Sequence, residues 1–366
     1  MAGIYIHIPF CQRRCLYCDF FSTTQLGRRS EYVDALLQEI AHRKDEAGEP
    51  IRTIYIGGGT PSTLTANDIQ RILQAIGTES KTEITMELNP GDATPEYMQA
   101  LRQAGIQRLS IGIQSFQDEL LQRIGRRHNA AQAVAAVHMA QEAGFDNLSI
   151  DLIYALPGQT MSQWESDITT AQSLNVQHIS TYGLMYEEGT PLTLMRDNGQ
   201  ITPVDEETEI AMYDTLCHRL KQAGFVHYEV SNFALPGFEA KHNSSYWNGT
   251  PYIGIGAGAH SYIGRTRSWN PDVLDAYIRG IRTGTLQRES ELLTERDLYN
   301  ERIMLGLRTN RGIPDGQPTV NRQSYATREE LCRDGLLRKT PDGRLVATQK
   351  GLHVLNRIIE KLMIDE

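Results

Sequence analysis

Three of the five cysteines of this chain, Cys11, Cys15 and Cys18, follow one another in the spacing Cys-x-x-x-Cys-x-x-Cys. Thiolates bind iron–sulfur clusters and zinc alike. Three of them on one short loop can each take one iron of a 4Fe-4S cubane, which leaves the fourth iron open for a ligand. The rival reading is a structural zinc site completed by His7, which lies in an alternating stretch just before the loop. A disulfide scaffold would spread its cysteines in pairs along a short chain, so it does not fit this crowding. Cys217 and Cys332 stand alone and read as small buried hydrophobes.

Other residues of the same potential lie at the ends of apolar runs. Gly57-Gly58-Gly59-Thr60-Pro61 permits a tight turn and close backbone approach, or is simply a strand-to-helix turn. Glu87, Gln114 and Asp151 each lie in or at the end of an apolar strand, where a buried polar group needs a partner. One of them alone reads as a satisfied core residue; three on successive strands read as a ligand-binding ring. Arg126, in Gly125-Arg126-Arg127-His128, reads by pattern as a surface charge. His242, in His242-Asn243-Ser244-Ser245-Tyr246-Trp247, reads as a loop histidine satisfied by backbone, with Tyr246 and Trp247 in an interdomain core. His260 lies in the glycine-rich run Gly256-Ala257-Gly258-Ala259-His260, which admits a flat ligand closely or a tight turn.

The elements that must position these residues follow a clear alternation. Strands are expected at Ile4–Ile8, Thr53–Ile56, Ile84–Leu88, Arg108–Ile113, Leu148–Ile153 and Ile179–Tyr182. Helical spacing separates them, as in Tyr32–Ala41, Pro95–Ala104, Ala130–Ala143 and Met161–Leu174. Strands alternating with helices imply parallel βα units, and nearly continuous apolar strands suit a sheet covered on both faces. Six strands are too few for a closed eight-stranded barrel. The expectation is an α/β fold, an open, partial (β/α)6 TIM-like barrel or else a doubly wound sheet, with chemistry beyond the C-terminal strand ends in both. From Asp272 onward helices dominate. Lys339–Thr348 reads as a hairpin turning at Pro341-Asp342-Gly343, and Thr348 as the cap of a last helix, Gln349–Met363. That suggests a mostly helical, winged-helix-like C-terminal domain. The expected division is 1–235, a connecting region 236–290, and 291–366.

The net charge of −9 over 366 residues argues against a general nucleic-acid binder, and no basic cluster marks a recognition helix. No apolar run has the length of a membrane span and no secretory signal is visible, so a cytoplasmic location is expected.

With these motifs assembled, the sequence resembles the radical S-adenosylmethionine family. In that family the amino and carboxylate groups of S-adenosylmethionine (SAM) chelate the open iron, and reductive cleavage gives a 5′-deoxyadenosyl radical. The match extends over essentially the whole chain to the branch containing oxygen-independent coproporphyrinogen III dehydrogenase, HemN, and its relatives of the HemW type. Gly57–Pro61, a strand ending in Glu87, Gln114-Ser115 and Asp151–Pro157 carry the resemblance. It implies the open barrel, a 4Fe-4S cluster on Cys11, Cys15 and Cys18, and SAM contacts at Tyr5, Tyr17, Gly58, Gly59, Thr60, Glu87, Gln114, Arg126 and Asp151.

Within that branch, HemN-type chains add a cysteine two residues after the third. Here Phe20 holds that position, and ten residues precede Cys11, where HemN-type chains carry an extension. Both departures count against coproporphyrinogen decarboxylation and a second SAM site. They resemble HemW, regarded as a haem chaperone, as does His242-Asn-x-x-Tyr246-Trp247. The resemblance makes His242 the leading candidate for a haem ligand and His260 the next. It further implies a haem-accepting partner such as a respiratory haem protein, a low-potential electron donor such as flavodoxin or ferredoxin, and a homodimer. Radical catalysis on a tetrapyrrole is the alternative function.

Overall fold

The protein is described by a computed structural model covering residues 1–78, 80–315 and 322–364. Its first half is a regular run of βα units. These are β1 (Ala2–Ile8), α1 (Arg29–Arg43), β2 (Ile51–Gly58), α2 (Ala66–Ile76), β3 (Glu83–Leu88), α3 (Pro95–Ala104), β4 (Arg108–Gln114), α4 (Asp118–Arg123), α5 (Ala130–Glu142), β5 (Leu148–Tyr154), α6 (Met161–Ser173) and β6 (His178–Gly183). Local chemistry sets the helix starts. Thr65 with Asp68, Asn129 with Gln132 and Thr160 with Gln163 form reciprocal capping boxes, and Thr94 caps α3.

The six strands pair in parallel and in chain order, β1 to β6, as an open barrel expected from the sequence. The sheet does not close. At one edge β6 is followed by antiparallel strands β8 and β7; at the other, β1 is followed by β9 in parallel, then β10, β11 and β12. Between them in the chain come α7 (Pro191–Asp197), α8 (Glu206–Gln222), β7 (Val226–Glu229), β8 (Asn232–Ala234), α9 (Lys241–Trp247), β9 (Tyr252–Ile255), β10 (His260–Ile263), β11 (Thr266–Trp269), α10 (Leu274–Thr283) and β12 (Glu289–Leu292). Residues 236–290 therefore contribute three strands to the main sheet.

The strands differ from the uniformly apolar runs suggested by sequence. Only the helix-facing row is apolar: Ile4, Ile6 and Ile8, Ile54 and Ile56, Leu109, Ile111 and Ile113, with Ile150 and Leu152, are buried against the helices. The alternate row faces into the barrel, and most of it is polar. Register aligns Tyr5 with Tyr55, Tyr55 with Thr85 and Thr85 with Arg108. The next row holds Glu87, Ser110, Ser149 and His178. A polar interior needs internal partners or a ligand.

α9 closes the lower end of this interior. The backbone NH groups of Lys241 and His242 donate to Glu83 Oε1 at 2.9 and 3.2 Å. A second buried hub joins α1 to β9 and α10. Glu39 Oε2 accepts from Gly256 NH (2.8 Å) and Tyr277 OH (2.7 Å), and its Oε1 accepts from Arg43 (2.6 Å) and Asn270 (2.8 Å).

The C-terminal part is α11 (Glu295–Gly306), β13 (Ile313–Pro314), α12 (Arg322–Arg333), β14 (Leu337–Lys339), β15 (Arg344–Ala347), α13 (Gln349–Leu352) and α14 (Leu355–Leu362). Its small antiparallel sheet and helices enclose a separate core around Leu307, Leu331, Leu345 and Ile358, a winged-helix-like arrangement. The hairpin and the Thr348 cap lie where the sequence puts them. The last helix is broken at His353-Val354 into α13 and α14, with Val354 outside helical geometry. This part docks on the edge strand β7 through Val230 NH to Arg308 O (2.9 Å) and Asn310 NH to Tyr228 O (3.0 Å).

Glu39→Ala leaves the buried Arg43 guanidinium without its closest carboxylate and strips partners from four donors. The expected cost is about 3 kcal/mol, read as a lowered midpoint in equilibrium urea unfolding.

Candidate functional site

The loop that leaves β1 is pinned at its base and spread at its tip. Thr23 NH donates to Pro9 O (2.7 Å) and Cys11 NH to Thr23 O (2.9 Å). Leu16, in the tip, donates its NH to Ile124 O (3.1 Å) and accepts from Leu192 NH (2.9 Å). Cys11 is buried; Cys15 and Cys18 are half-buried. The Cys11 Sγ lies 3.4 Å from Thr60 Oγ1, and Arg126 Nη1 donates to Cys15 Sγ at 3.5 Å. Burial, reinforced by the neighbouring sulfurs, pushes the Cys18 thiol up to about 11, and burial also raises Cys11. Three thiolates so close together need a cationic centre to hold them.

His7 does not complete a zinc site. Its Nδ1 is 3.0 Å from Tyr5 OH and its Nε2 is 3.0 Å from Phe21 O. Burial lowers its pKa to about 4, so the ring is neutral with both nitrogens engaged. Nor, among the described residues, do three or more cysteine, histidine or acidic side chains converge on a single ion. A cubane takes each thiolate on a different iron, and the donor set suits that group.

The cysteines line a cavity of about 590 Å³ that runs into the barrel. Eight of the nine expected SAM positions line it too: Tyr17, Gly58, Gly59, Thr60, Glu87, Gln114, Arg126 and Asp151. The ninth, Tyr5, lies outside the lining, with its ring stacked on Tyr55 at 6.2 Å and its hydroxyl on His7. Gly58 is at φ +115°, and a Cβ there would lie 2.6 Å from the His7 ring. A Cβ on Gly59 would lie 2.9 Å from the Pro9 backbone and 3.0 Å from Cys11 Sγ. Only glycine lets the backbone pass between the loop and the cavity.

Glu87 is held in place by Tyr55 OH on Oε1 (2.9 Å) and Gly58 NH on Oε2 (3.1 Å). Burial, then the charge of Asp151, raises it to about 7. Burial likewise raises Asp151, whose Oδ1 accepts from Ser110 Oγ at 3.1 Å. Gln114 adopts φ +72°, in the left-handed region. Asp167 braces the turn that follows, accepting from Ser115 Oγ (2.7 Å), Phe116 NH (3.0 Å) and Gln117 Nε2 (2.9 Å). Arg126, read by pattern as a surface charge, is enclosed instead. Its Nη2 donates to Gly112 O, and its Nε is buried without a partner. An orphaned guanidinium donor, glycine cradles and a thiolate triad fit a 4Fe-4S cluster with SAM beside it.

Sequence reasoning missed Arg108, Ser110, Ser180 and Tyr182, which also line the cavity. Their signal was the alternation Arg108-x-Ser110-x-Gly112 and His178-x-Ser180-x-Tyr182, hidden within apparently apolar runs.

His242 lies outside the cysteine cavity, at the barrel floor. It is 1% exposed, with Nδ1 2.8 Å from Thr53 Oγ1 and Nε2 2.9 Å from Tyr246 OH. Its ring stacks on Tyr55 at 5.3 Å, and burial lowers its pKa to about 3. Both nitrogens are therefore occupied in this conformation. Tyr246, one turn after His242 in α9, and Trp247 line a second cavity of about 1310 Å³ together with Tyr252 and Tyr262. His260 is exposed and stacks on Trp269 at 5.6 Å.

Comparison with known proteins agrees with this geometry. Residues 5–171 match the family model described as the radical SAM superfamily. The chain is 36% identical to "Heme chaperone HemW" of Lactococcus lactis, over 99% of this chain and 97% of that protein. It is 38% identical to the Bacillus subtilis protein of the same name, over 92% and 89%. Among solved structures, coproporphyrinogen III oxidase (HemN) from Escherichia coli superposes with a TM-score of 0.84 over 99% of this chain and 90% of that one, at 24% identity.

Two outcomes follow from the geometry. Cys15→Ser is expected to abolish iron and acid-labile sulfide after anaerobic reconstitution while the circular dichroism spectrum stays native, because the core lies outside the loop. Between pH 4.5 and about 7 the folded, ligand-free chain keeps a proton on Glu87 that the unfolded chain releases. Stability therefore falls as pH rises through this window. Glu87→Gln is expected to flatten that part of the slope in unfolding measured at pH 5 and pH 8.

Proposed function

Because the chain belongs to the HemW family of radical SAM proteins, we propose that it is a haem chaperone, binding haem as cargo and passing it to an acceptor haem protein. The end-to-end match to proteins of that name carries the reading. The geometry supports it by presenting two separate cavities, one with the cysteine triad and one beyond α9.

In the first cavity Cys11, Cys15 and Cys18 would hold the cluster. Gly58, Gly59, Glu87, Gln114, Arg126 and Asp151 would seat SAM against it. Bound together, these groups supply one-electron chemistry. The chain's own part is positional. Gly58 NH and Tyr55 OH fix the Glu87 carboxylate, Asp167 fixes the Gln114 turn, and Arg126 offers a free Nε donor.

For haem we keep His242 as the proposed ligand, with a specific requirement. Its Nε2 must exchange the Tyr246 hydroxyl for iron. Tyr246 and Trp247, which line the second cavity, would supply aromatic surface for the porphyrin. Further parts of the proposal are a low-potential donor such as flavodoxin or ferredoxin, a homodimer and a cytoplasmic location. No described helix is long and apolar enough to cross a membrane.

Hemin titration of the anaerobically reconstituted protein should give a saturable Soret shift, weakened at least tenfold by His242→Ala. Absence of saturable binding with or without the cluster refutes the chaperone reading. Turnover of coproporphyrinogen III with SAM and a low-potential reductant would make the protein an enzyme instead.

A further inference from the structure

Arg108 is the first residue of β4 and points into the barrel. It is 1% exposed, yet it makes no hydrogen bond or ion pair among the described residues, and its Nε is enclosed without a partner. It lines the cysteine cavity. The nearest carboxylate the strands bring towards it, Asp151, pairs in register with Gly112 further up β4; it feels the Arg108 charge but is hydrogen-bonded by Ser110 and makes no ion pair with Arg108. A buried guanidinium with only a carboxylate at a distance and no direct hydrogen bond or ion pair is costly, and such a cation normally has an anionic partner in contact.

The surroundings define what that partner is. Register puts Arg108 in the row of Tyr55 and Thr85, one row below Glu87 and therefore about 7 Å deeper than the Glu87 level. It lies outside the set of expected SAM contacts. Nearby, the cavity is lined by Ser110, Ser180 and Asn243, and by the Asp151 carboxylate that Ser110 already occupies. Among the described residues no glycine-rich run of backbone NH groups lies at this depth, so a phosphate would find one cation and no nest. The planar fork of one arginine matches one carboxylate. Toward the mouth the lining turns apolar through Ile153, Leu184 and Met185, and ends at Phe20; Met185 and Phe20 are 70% and 66% exposed.

We propose that the barrel holds a carboxylate-binding site below the cofactor positions, in which Arg108 grips the acid group of an organic ligand whose apolar part extends toward Met185 and Phe20. The cavity thus takes a second molecule beside SAM.

The test uses the full-length protein, reconstituted anaerobically with iron, sulfide and SAM, and ligand-observed NMR. Octanoate is the probe, with 1-octanol and inorganic phosphate as comparisons. Saturable octanoate binding at one equivalent per chain, with neither comparison binding saturably, is the expected result. Arg108→Met should weaken octanoate at least tenfold while iron content, sulfide content and SAM affinity stay within twofold. Arg108→Lys, which keeps the charge but loses the fork, should fall between and serves if the methionine variant does not fold. Non-saturable octanoate binding, equal binding of octanol, or preferential phosphate binding overturns the site. So does a tenfold loss of SAM affinity in either variant without a change for octanoate, which would make Arg108 a SAM contact. Hemin titration in the same variants keeps the chaperone reading separate, since that reading predicts no change there.

Discussion

A barrel that stays open and polar inside imposes one constraint on everything else: each inward-facing polar group must find a partner within the barrel or receive one from a ligand. The partners are largely internal on the lower rows. Thr53 bonds His242 and Glu83 takes two backbone NH groups from α9, while in the Glu87 row Ser149 bonds His178. Near the upper strand ends the account is incomplete. Arg126 has a donor to spare, and Glu87 and Asp151 face each other with raised pKa values. Apart from Arg108 one row deeper, the place where internal satisfaction stops is the place where the cysteine loop arrives.

That coincidence has a topological origin. In parallel βα units the loops after the strands gather at one end. The cysteine loop after β1, the glycine turn after β2 and the Gln114 turn after β4 are three such loops. The glycine turn can lie against the cysteine loop only because Gly58 and Gly59 carry no Cβ. The Gln114 turn holds its left-handed backbone because Asp167 collects three donors around it. Precision at the site thus comes from strands and from braces outside the cavity, and the half-buried cysteines are left accessible.

The segment around α9 changes the meaning of the His242 motif. As a floor plug it joins the sheet through Glu83 and Thr53, and it separates the cysteine cavity from the larger aromatic one. His242 reaches Glu87 through Tyr55, by ring stacking and then a phenol hydrogen bond. Events on the two sides of α9 therefore share a contiguous path of side chains.

The sequence by itself determined the repeating βα order, the boundaries of α3, the cap at Thr348, the cysteine triad and most of the ring at the strand ends. Those features rest on local spacing and local hydrogen bonds, which a linear chain displays directly. Tertiary structure decided the rest. Strand spacing could not say that β9 would pair with β1, because a parallel partner from residue 252 is a long-range choice. Pattern made Arg126 a surface charge and hid Arg108 in an apolar run. Only the closing of strands around a common interior turned both inward. His242 was visible as a histidine beside aromatics, and Tyr246, one turn on in α9, is a local partner, but the occupation of its second ring nitrogen depended on Thr53 arriving from β2. Residue type and spacing set what each group can do chemically; burial and partners, which exist only in the fold, set what each is free to do.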